Sequence, residues 1–278
     1  MIANSKIDII NLRRDQLSST DDTLKSITLN PTELCNRRCG FCPRSESYPN
    51  QNLHMSESTA ERISEELTKF GFSGRLGWSG NGEPLLTKNF LKLVKTISSQ
   101  NPQLKFHEIN TNGDLLTVNL VDKIYESGIN HIIVSVYDGE KELNKFEEMF
   151  SKFPSNTFTL RKSYTSNYIG FTNRAGNVNV NKENLLKNIS KKCFIPFYKL
   201  FLDWNGDVIV CCEDWGRKSK SILNINTHSL KEIWDSDELN KYRLYLKDGY
   251  RSKLSPCNTC NIDGEQVGEN VFKKFYEK

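Results

Sequence analysis

The chain has 278 residues, enough for one large or two unequal domains with a substantial buried core, so a mini-protein held together by staples is excluded. Its 37% hydrophobic and 26% charged composition excludes intrinsic disorder and any collagen-like or low-complexity architecture. An excess of 38 Lys and Arg over 34 Asp and Glu leaves a net charge of +4, too slight for a nucleic-acid-binding footprint, so no nucleic-acid partner is expected.

In chain order, residues 1–24 are polar and without periodicity, an N-terminal extension that lacks the apolar run of a secretory signal. The longest apolar runs elsewhere, HIIVSVY and VIVCC, are too short to span a bilayer, so no membrane partner and a cytoplasmic location are expected. In such a reducing compartment the eight cysteines read as metal ligands or catalytic thiols rather than disulfides.

From residue 25 the segments SITLNPT, SESTAERISEELTKFG, GRLGWSG, TKNFLKLVKTISSQ, KFHEINTNG, TVNLVDKIYESG and HIIVSVYDG alternate as βαβαβαβ. That order predicts an α/β protein with a parallel sheet, open or curled into a barrel, and ligands near the carboxyl ends of its strands. Ser58 with Glu61 predicts a capping box on the first helix, and Gly71 and Gly128 predict C-caps. Residues 177–192 are rich in Asn and Lys and predict a linker with one short helix. FYKLFLDWNGDVIVCC then predicts a hairpin with a type I′ turn at Asn205-Gly206, and SLKEIWDSDELNKYRLYLKDG predicts an amphipathic helix. The expected division is an extension at 1–24, an α/β unit at 25–180, and a linker with a small hairpin-plus-helix domain at 181–278.

The cysteines fall into two groups. ELCNRRCGFCPR places Cys35, Cys39 and Cys42 in a C-x3-C-x2-C spacing on the loop after the first strand, with no nearby fourth. Thiolates suit zinc or iron–sulfur clusters, and a cubane of four irons held by three cysteines leaves one iron open to a small molecule. A structural zinc would call for a fourth ligand, and His54, the nearest imidazole, is twelve residues away. The second group, Cys193, Cys211 or Cys212, Cys257 and Cys260, offers four thiolates, a closed shell that fits either a zinc ribbon or a second cluster.

The first trio, with Phe41 directly before its last cysteine, resembles the signature of the radical S-adenosylmethionine (SAM) superfamily. SGNGEPLL resembles that family's GGE segment, with Asn81 in place of the first glycine and Gly82 and Glu83 matching; the family uses it to hold the SAM amino group. NTNGD, with Asn112, and the strand residue Ser135 resemble further SAM-binding positions. The layout NGDVIVCCED, then a helix, then CNTC is similar to the family's SPASM extension in its shortened, one-cluster twitch form. TNRAG resembles a segment on the family's last barrel strand, which would aim Arg174 into the cavity; a surface ion pair is the plain alternative.

The resemblance implies a partial (β/α)6 barrel followed by a twitch-type domain, with SAM and two [4Fe-4S] clusters as cofactors. Cys35, Cys39 and Cys42 would hold the SAM cluster, and Cys193, Cys211, Cys257 and Cys260 the auxiliary one. Cys212 would then be spare, either a small buried hydrophobe or a hydrogen-atom donor. Glu213 and Asp214 would orient substrate hydroxyls or face solvent. The implied activity is an oxidoreductase that generates a 5′-deoxyadenosyl radical and oxidises a carbohydrate or cyclitol alcohol to a ketone, the auxiliary cluster accepting an electron. An electron donor such as flavodoxin or ferredoxin is the implied protein partner. The competing expectations are an epimerase using Cys212, a peptide maturase, and, in another class, a non-catalytic zinc module.

Overall fold

The computed structural model describes residues 1–3, 24–164, 171–179, 189–219, 222–264 and 268–276. The expected helix in the 177–192 linker and most of the 1–24 extension lie outside those residues. Among these described residues eight strands form one sheet: β1 (Ile2–Ala3), β2 (Ser26–Leu29), β3 (Arg75–Trp78), β4 (Phe106–Thr111), β5 (His131–Val136), β6 (Phe158–Lys162), β7 (Lys199–Leu202) and β8 (Val208–Ile209). Their order is β1-β6-β5-β4-β3-β2-β7-β8, every pair parallel except β7 with β8. The sheet is thus not closed, and the hairpin of the second cysteine group continues it directly through β7 on β2. Ile2–Ala3, too short to show any period, pairs with β6 at the far edge.

Side chains of a strand alternate between faces, and here the faces differ in chemistry. Ile27, Leu29, Leu76, Trp78, Ile109, Val134 and Leu160 join the main apolar cluster with the buried stripes of the flanking helices. Their alternates are Thr28, Arg75, Glu108, Asn110, Ser135 and Arg161, a polar lining on the other face. Helix α1 (Pro43–Glu46) follows the first cysteine group; α2 (Glu57–Phe70), α3 (Phe90–Gln100), α4 (Val118–Glu126) and α5 (Glu140–Phe150) cover the apolar face. In α2, Ala60, Ile63 and Leu67 sit three and four residues apart and are buried together, which is why this segment forms a helix that docks.

Four local expectations are corrected. The cap of α2 is Ser56 rather than Ser58: its hydroxyl accepts from Thr59 N, and the helix starts at Glu57. The β7–β8 turn closes from Asp203 O to Gly206 N, and only Gly206, at φ 86°, is left-handed; it is a type I turn with a G1 bulge, not type I′. The single predicted C-terminal helix is two, α6 (Leu230–Asp235) and α7 (Asp237–Leu246), broken at Ser236, which ends one and caps the other. Gly71 ends α2 in the left-handed conformation as expected, whereas the C-cap of α4 is Ser127 and Gly128, at φ 106°, lies two residues past the end of that helix. A short helix α8 (Glu269–Tyr276) follows the second cysteine group. No described helix is long and apolar enough to cross a membrane.

Candidate active site

Cys35, Cys39 and Cys42 lie on the loop that leaves the carboxyl end of β2, all three half-exposed. Burial and the neighbouring thiols push Cys39 up to about 11, and desolvation raises Cys35 and Cys42. Salt bridges hold the loop in place: Arg37, between the first two cysteines, donates to Asp114, Asp138 and Glu142 and lies 5.3 Å from the Tyr137 ring. Asn50 pairs with both backbone groups of Cys35, donating to its carbonyl and accepting from its N–H. Buried Arg44, two residues after Cys42, donates to the carbonyls of Asn81, Glu33 and Pro49, tying the cysteine loop to the SGNGE loop.

The trio fits a cluster with one open iron. His54 spends both ring nitrogens elsewhere, on Thr32 Oγ1 at 3.0 Å and Asn52 Oδ1 at 2.7 Å, so it does not complete the set. Among the described residues no three His, Cys, Asp or Glu side chains are arranged around a single ion, and a cubane, which spreads its thiolates wider than one zinc does, needs no such convergence.

Around the trio, Gly82 lies against the chain that leads into the cysteine loop: a Cβ there would come 2.3 Å from Thr32 O and 2.6 Å from Leu34 O. Glu83 is almost fully buried, and desolvation pushes it up to about 7 although Asn112 N, Thr111 Oγ1 and Leu85 N all donate to it. Asn112 donates to Asn36 Oδ1 at 2.8 Å, so the NTNGD turn also touches the cysteine loop. Phe41 stacks on Phe171, centroids 4.2 Å apart, with Tyr137 at 5.5 Å. Ser135 donates to Asn110 and accepts from Arg161. Buried Arg161 Nε has no hydrogen-bond partner. In the sequence Arg161 carries no signal beyond a cation at an inward position of a strand, directly before Lys162.

In the second group Cys193 and Cys260 are buried and Cys211 and Cys257 half-exposed. Desolvation raises all four, and Cys257 reaches about 12. Cys193, Cys211 and Cys257 pack in one small apolar cluster with Ile195, Leu246 and Leu254. Cys211 feels the charges of Cys212, Cys260 and Cys257, in that order, and Cys193 feels that of Cys212. Three thiols in one apolar cluster, with buried Cys260 close enough to feel the charges of Cys193 and Cys257 and with the buried cation Arg251 beside Cys193, fit a four-cysteine cluster by the chemistry of their donor set.

TNRAG is not on a strand. Residues 172–176 form a turn, with Arg174 and Ala175 left-handed, seated on the second cysteine segment: Asn173 exchanges hydrogen bonds with Asn261 and donates to Thr259 O, and Thr259 donates to Ala175 O. Arg174 Nη1 donates to Glu213 Oε1 at 3.0 Å, and Thr172 donates to the other Glu213 oxygen. Glu213 is fully buried, so this is no surface ion pair, and neither Glu213 nor Asp214 faces solvent. The charge of Arg174 also reaches Cys42, and that of Glu213 reaches Cys193, Cys211 and Cys260. The pair therefore lies between the two cysteine groups.

Comparison with known proteins gives two family matches: the radical SAM superfamily over residues 29–156, and an iron–sulfur cluster-binding domain, SPASM, over 193–261. The S-adenosyl-L-methionine-dependent 2-deoxy-scyllo-inosamine dehydrogenase of Niallia circulans is 28% identical over 249 residues, 90% of this chain and 97% of that protein. A probable GTP 3′,8-cyclase of Methanocaldococcus jannaschii is 32% identical over 44% of this chain and 39% of its own length. Among solved structures, BtrN in complex with AdoMet and 2-DOIA superposes with a TM-score of 0.76 at 28% identity, covering 90% of this chain and 98% of that one. BtrN in an open conformation superposes at 0.67.

Proposed function

Because this chain belongs to the radical SAM superfamily and carries an iron–sulfur cluster-binding SPASM domain, we propose that it oxidises a ring alcohol of a cyclitol or related sugar to a ketone. The chain is a radical SAM oxidoreductase by its kinship with a SAM-dependent dehydrogenase along nearly the whole length of both proteins. The observation that carries the alcohol reading is the second thiol group, of which Cys193, Cys211 and Cys257 pack together and Cys193, Cys211 and Cys260 feel the charge of Glu213, the partner of Arg174. When bound, a [4Fe-4S] cluster with SAM supplies the oxidant that removes a hydrogen atom from carbon, and a fully ligated second cluster supplies a one-electron acceptor.

This chain's own residues supply the rest. Cys35, Cys39 and Cys42 would hold the first cluster; Cys193, Cys211, Cys257 and Cys260 the second. Cys211 rather than Cys212 is favoured because Cys211 packs with Cys193 and Cys257 in the apolar cluster. Arg161, with Ser135 and Asn110 beside it and its Nε unsatisfied, would take the carboxylate of SAM. Gly82 and Glu83 shape the loop that would hold the SAM amino group, and Asn112 braces that loop against the cysteine segment. Phe41, Tyr137 and Phe171 form an apolar wall that excludes water. Arg174 would orient a substrate oxygen, and the Glu213 carboxylate it holds is a buried acceptor for the hydroxyl proton. A small electron-carrier protein would deliver the reducing electron, and a reducing cytoplasm suits a chain whose eight cysteines are all free.

Anaerobic reconstitution with iron and sulfide, followed by SAM, dithionite and a panel of cyclitols, tests this. About eight irons per chain and equal yields of 5′-deoxyadenosine and ketone are expected. A loaded protein that forms no 5′-deoxyadenosine overturns the radical reading. One that returns an epimer carrying solvent deuterium overturns the dehydrogenase and points to Cys212 as donor.

A further inference from the structure

The two cysteine loops are tied together by a second, separate group of charges. Glu33, two residues before Cys35, and Asp203, in the turn after β7, are both buried carboxylates. Asn30, at the end of β2, donates to both, to Glu33 Oε1 at 2.9 Å and Asp203 Oδ1 at 2.6 Å, and accepts from Asn81 N. The cation that answers them is Arg217, five residues beyond Cys212. It donates to Asp203 through Nε, to Glu33 through Nη2 and to the Tyr48 hydroxyl through Nη1. Tyr48 follows the first cysteine group, donates to Glu33 Oε2 at 2.7 Å, and meets Trp215 edge to face, centroids 5.0 Å apart.

Arg217 is held at φ 48°, in the left-handed region that a side-chain-bearing residue seldom adopts. Asp214 builds the turn that leads to it by accepting from Lys218 N and Ser219 N. None of these residues is used in the chemistry above. Apart from a bond within its own loop, from Nη1 to Trp215 O at 3.3 Å, the contacts of the Arg217 fork run from the loop of Cys211 and Cys212 to the flanks of the loop of Cys35, Cys39 and Cys42, or to the turn between β7 and β8.

We propose that Arg217 is a positioning residue that fixes the auxiliary-cysteine loop against the SAM-cysteine loop, so that a substrate radical formed on one side is presented to the electron acceptor on the other. The inference rests on the alcohol-oxidation reading. A planar, bidentate cation suits the task, because Lys at the same place keeps the charge but cannot span two carboxylates and a phenol at once. When the register is lost, a carbon radical that is not oxidised takes a hydrogen atom from the assay's thiol reductant, which becomes a thiyl radical, and the substrate is returned unoxidised.

The test compares wild type, Arg217→Lys and Arg217→Gln as reconstituted holoenzymes in deuterated buffer with dithiothreitol. For variants with wild-type iron content, the ratio of 5′-deoxyadenosine to ketone is expected to rise from about one to about three or more, with deuterium in the recovered substrate. Hydrogen exchange is expected to quicken about tenfold or more in both 44–50 and 211–219. An unchanged ratio, or quickening in one loop only, overturns the proposal. Should both variants lose iron, Glu33→Gln/Asp203→Asn/Arg217→Met, which removes the three charges of this tie together and leaves Arg44 on the carbonyls of Asn81, Glu33 and Pro49, is read by the same ratio; iron loss there too marks the tie as structural only and overturns it. Wild type that makes no 5′-deoxyadenosine instead removes the underlying reading and leaves the exchange result to stand by itself.

Discussion

Cys211 and Cys212 are adjacent in sequence but differ in surroundings: Cys211 packs with Cys193 and Cys257, whereas Cys212 is outside that apolar cluster. Cys211→Ser is therefore expected to lower iron in reconstituted protein by about four atoms per chain, and Cys212→Ser to leave it unchanged, as iron assay and absorbance will show. Glu83 carries a pH signature. Its carboxyl is raised from 4.5 to about 7 by burial, so the folded chain binds this proton more tightly than the unfolded one. That contribution is fully present below pH 4.5 and is lost as the pH rises to about 7, on the order of 3 kcal/mol in all. Urea midpoints of the unloaded chain at pH 4.5 and 7.5 should show this fall in wild type and a smaller one in Glu83→Gln. Residue identity marked the cysteines, Gly82 and Glu83 plainly, because thiol spacing and a Gly-Glu-Pro turn are local patterns. Arg44, Arg161 and Arg217 were illegible, since an arginine reads as a solvated charge until the chain folds three carbonyls or two carboxylates around it.

For elements, the period of the apolar residues located the strands β2 to β5 and helices α2 to α4, because each must bury one face on the same sheet. Ends were less legible. Ser56 and Ser58 are both good caps in sequence, and what decides is which hydroxyl meets a free backbone N–H; Ser56→Ala should cost about 1 kcal/mol and Ser58→Ala much less, read from thermal melts. The break at Ser236 is hard to read for a related reason: Leu230 and Ile233, three apart, and Leu239 and Leu246, seven apart, are each spaced as on a helix, and only the six-residue step between the pairs marks the point where Ser236 accepts from Leu239 N and restarts the helix. TNRAG was placed on a strand by resemblance, but two successive left-handed residues cannot continue a strand and turn it onto Thr259 and Asn261 instead.

At the scale of the whole molecule, three thiols of the second group pack in a small apolar cluster, and the iron that all four would hold is what would bridge Cys193, Cys211, Cys257 and Cys260. Removing iron with a chelator should therefore loosen residues 193–264 more than the β2–β6 region, seen as a larger rise in proteolytic cleavage there. The alternating βα order was legible from residue 25 onward, whereas the sharing of one sheet by both cysteine groups was not, because pairing between β2 and β7 joins segments about 170 residues apart with no local trace.

That pairing has a further consequence. Strand β2 has β3 on one side and β7 on the other, and its four residues are buried throughout. A fragment that stops before residue 193 would strip one flank of β2 and bare a row of unmet amides and carbonyls on a strand that is otherwise buried. Such a piece is a template for self-association, and chromatography by size should find it as aggregate while the full-length chain elutes as a discrete species.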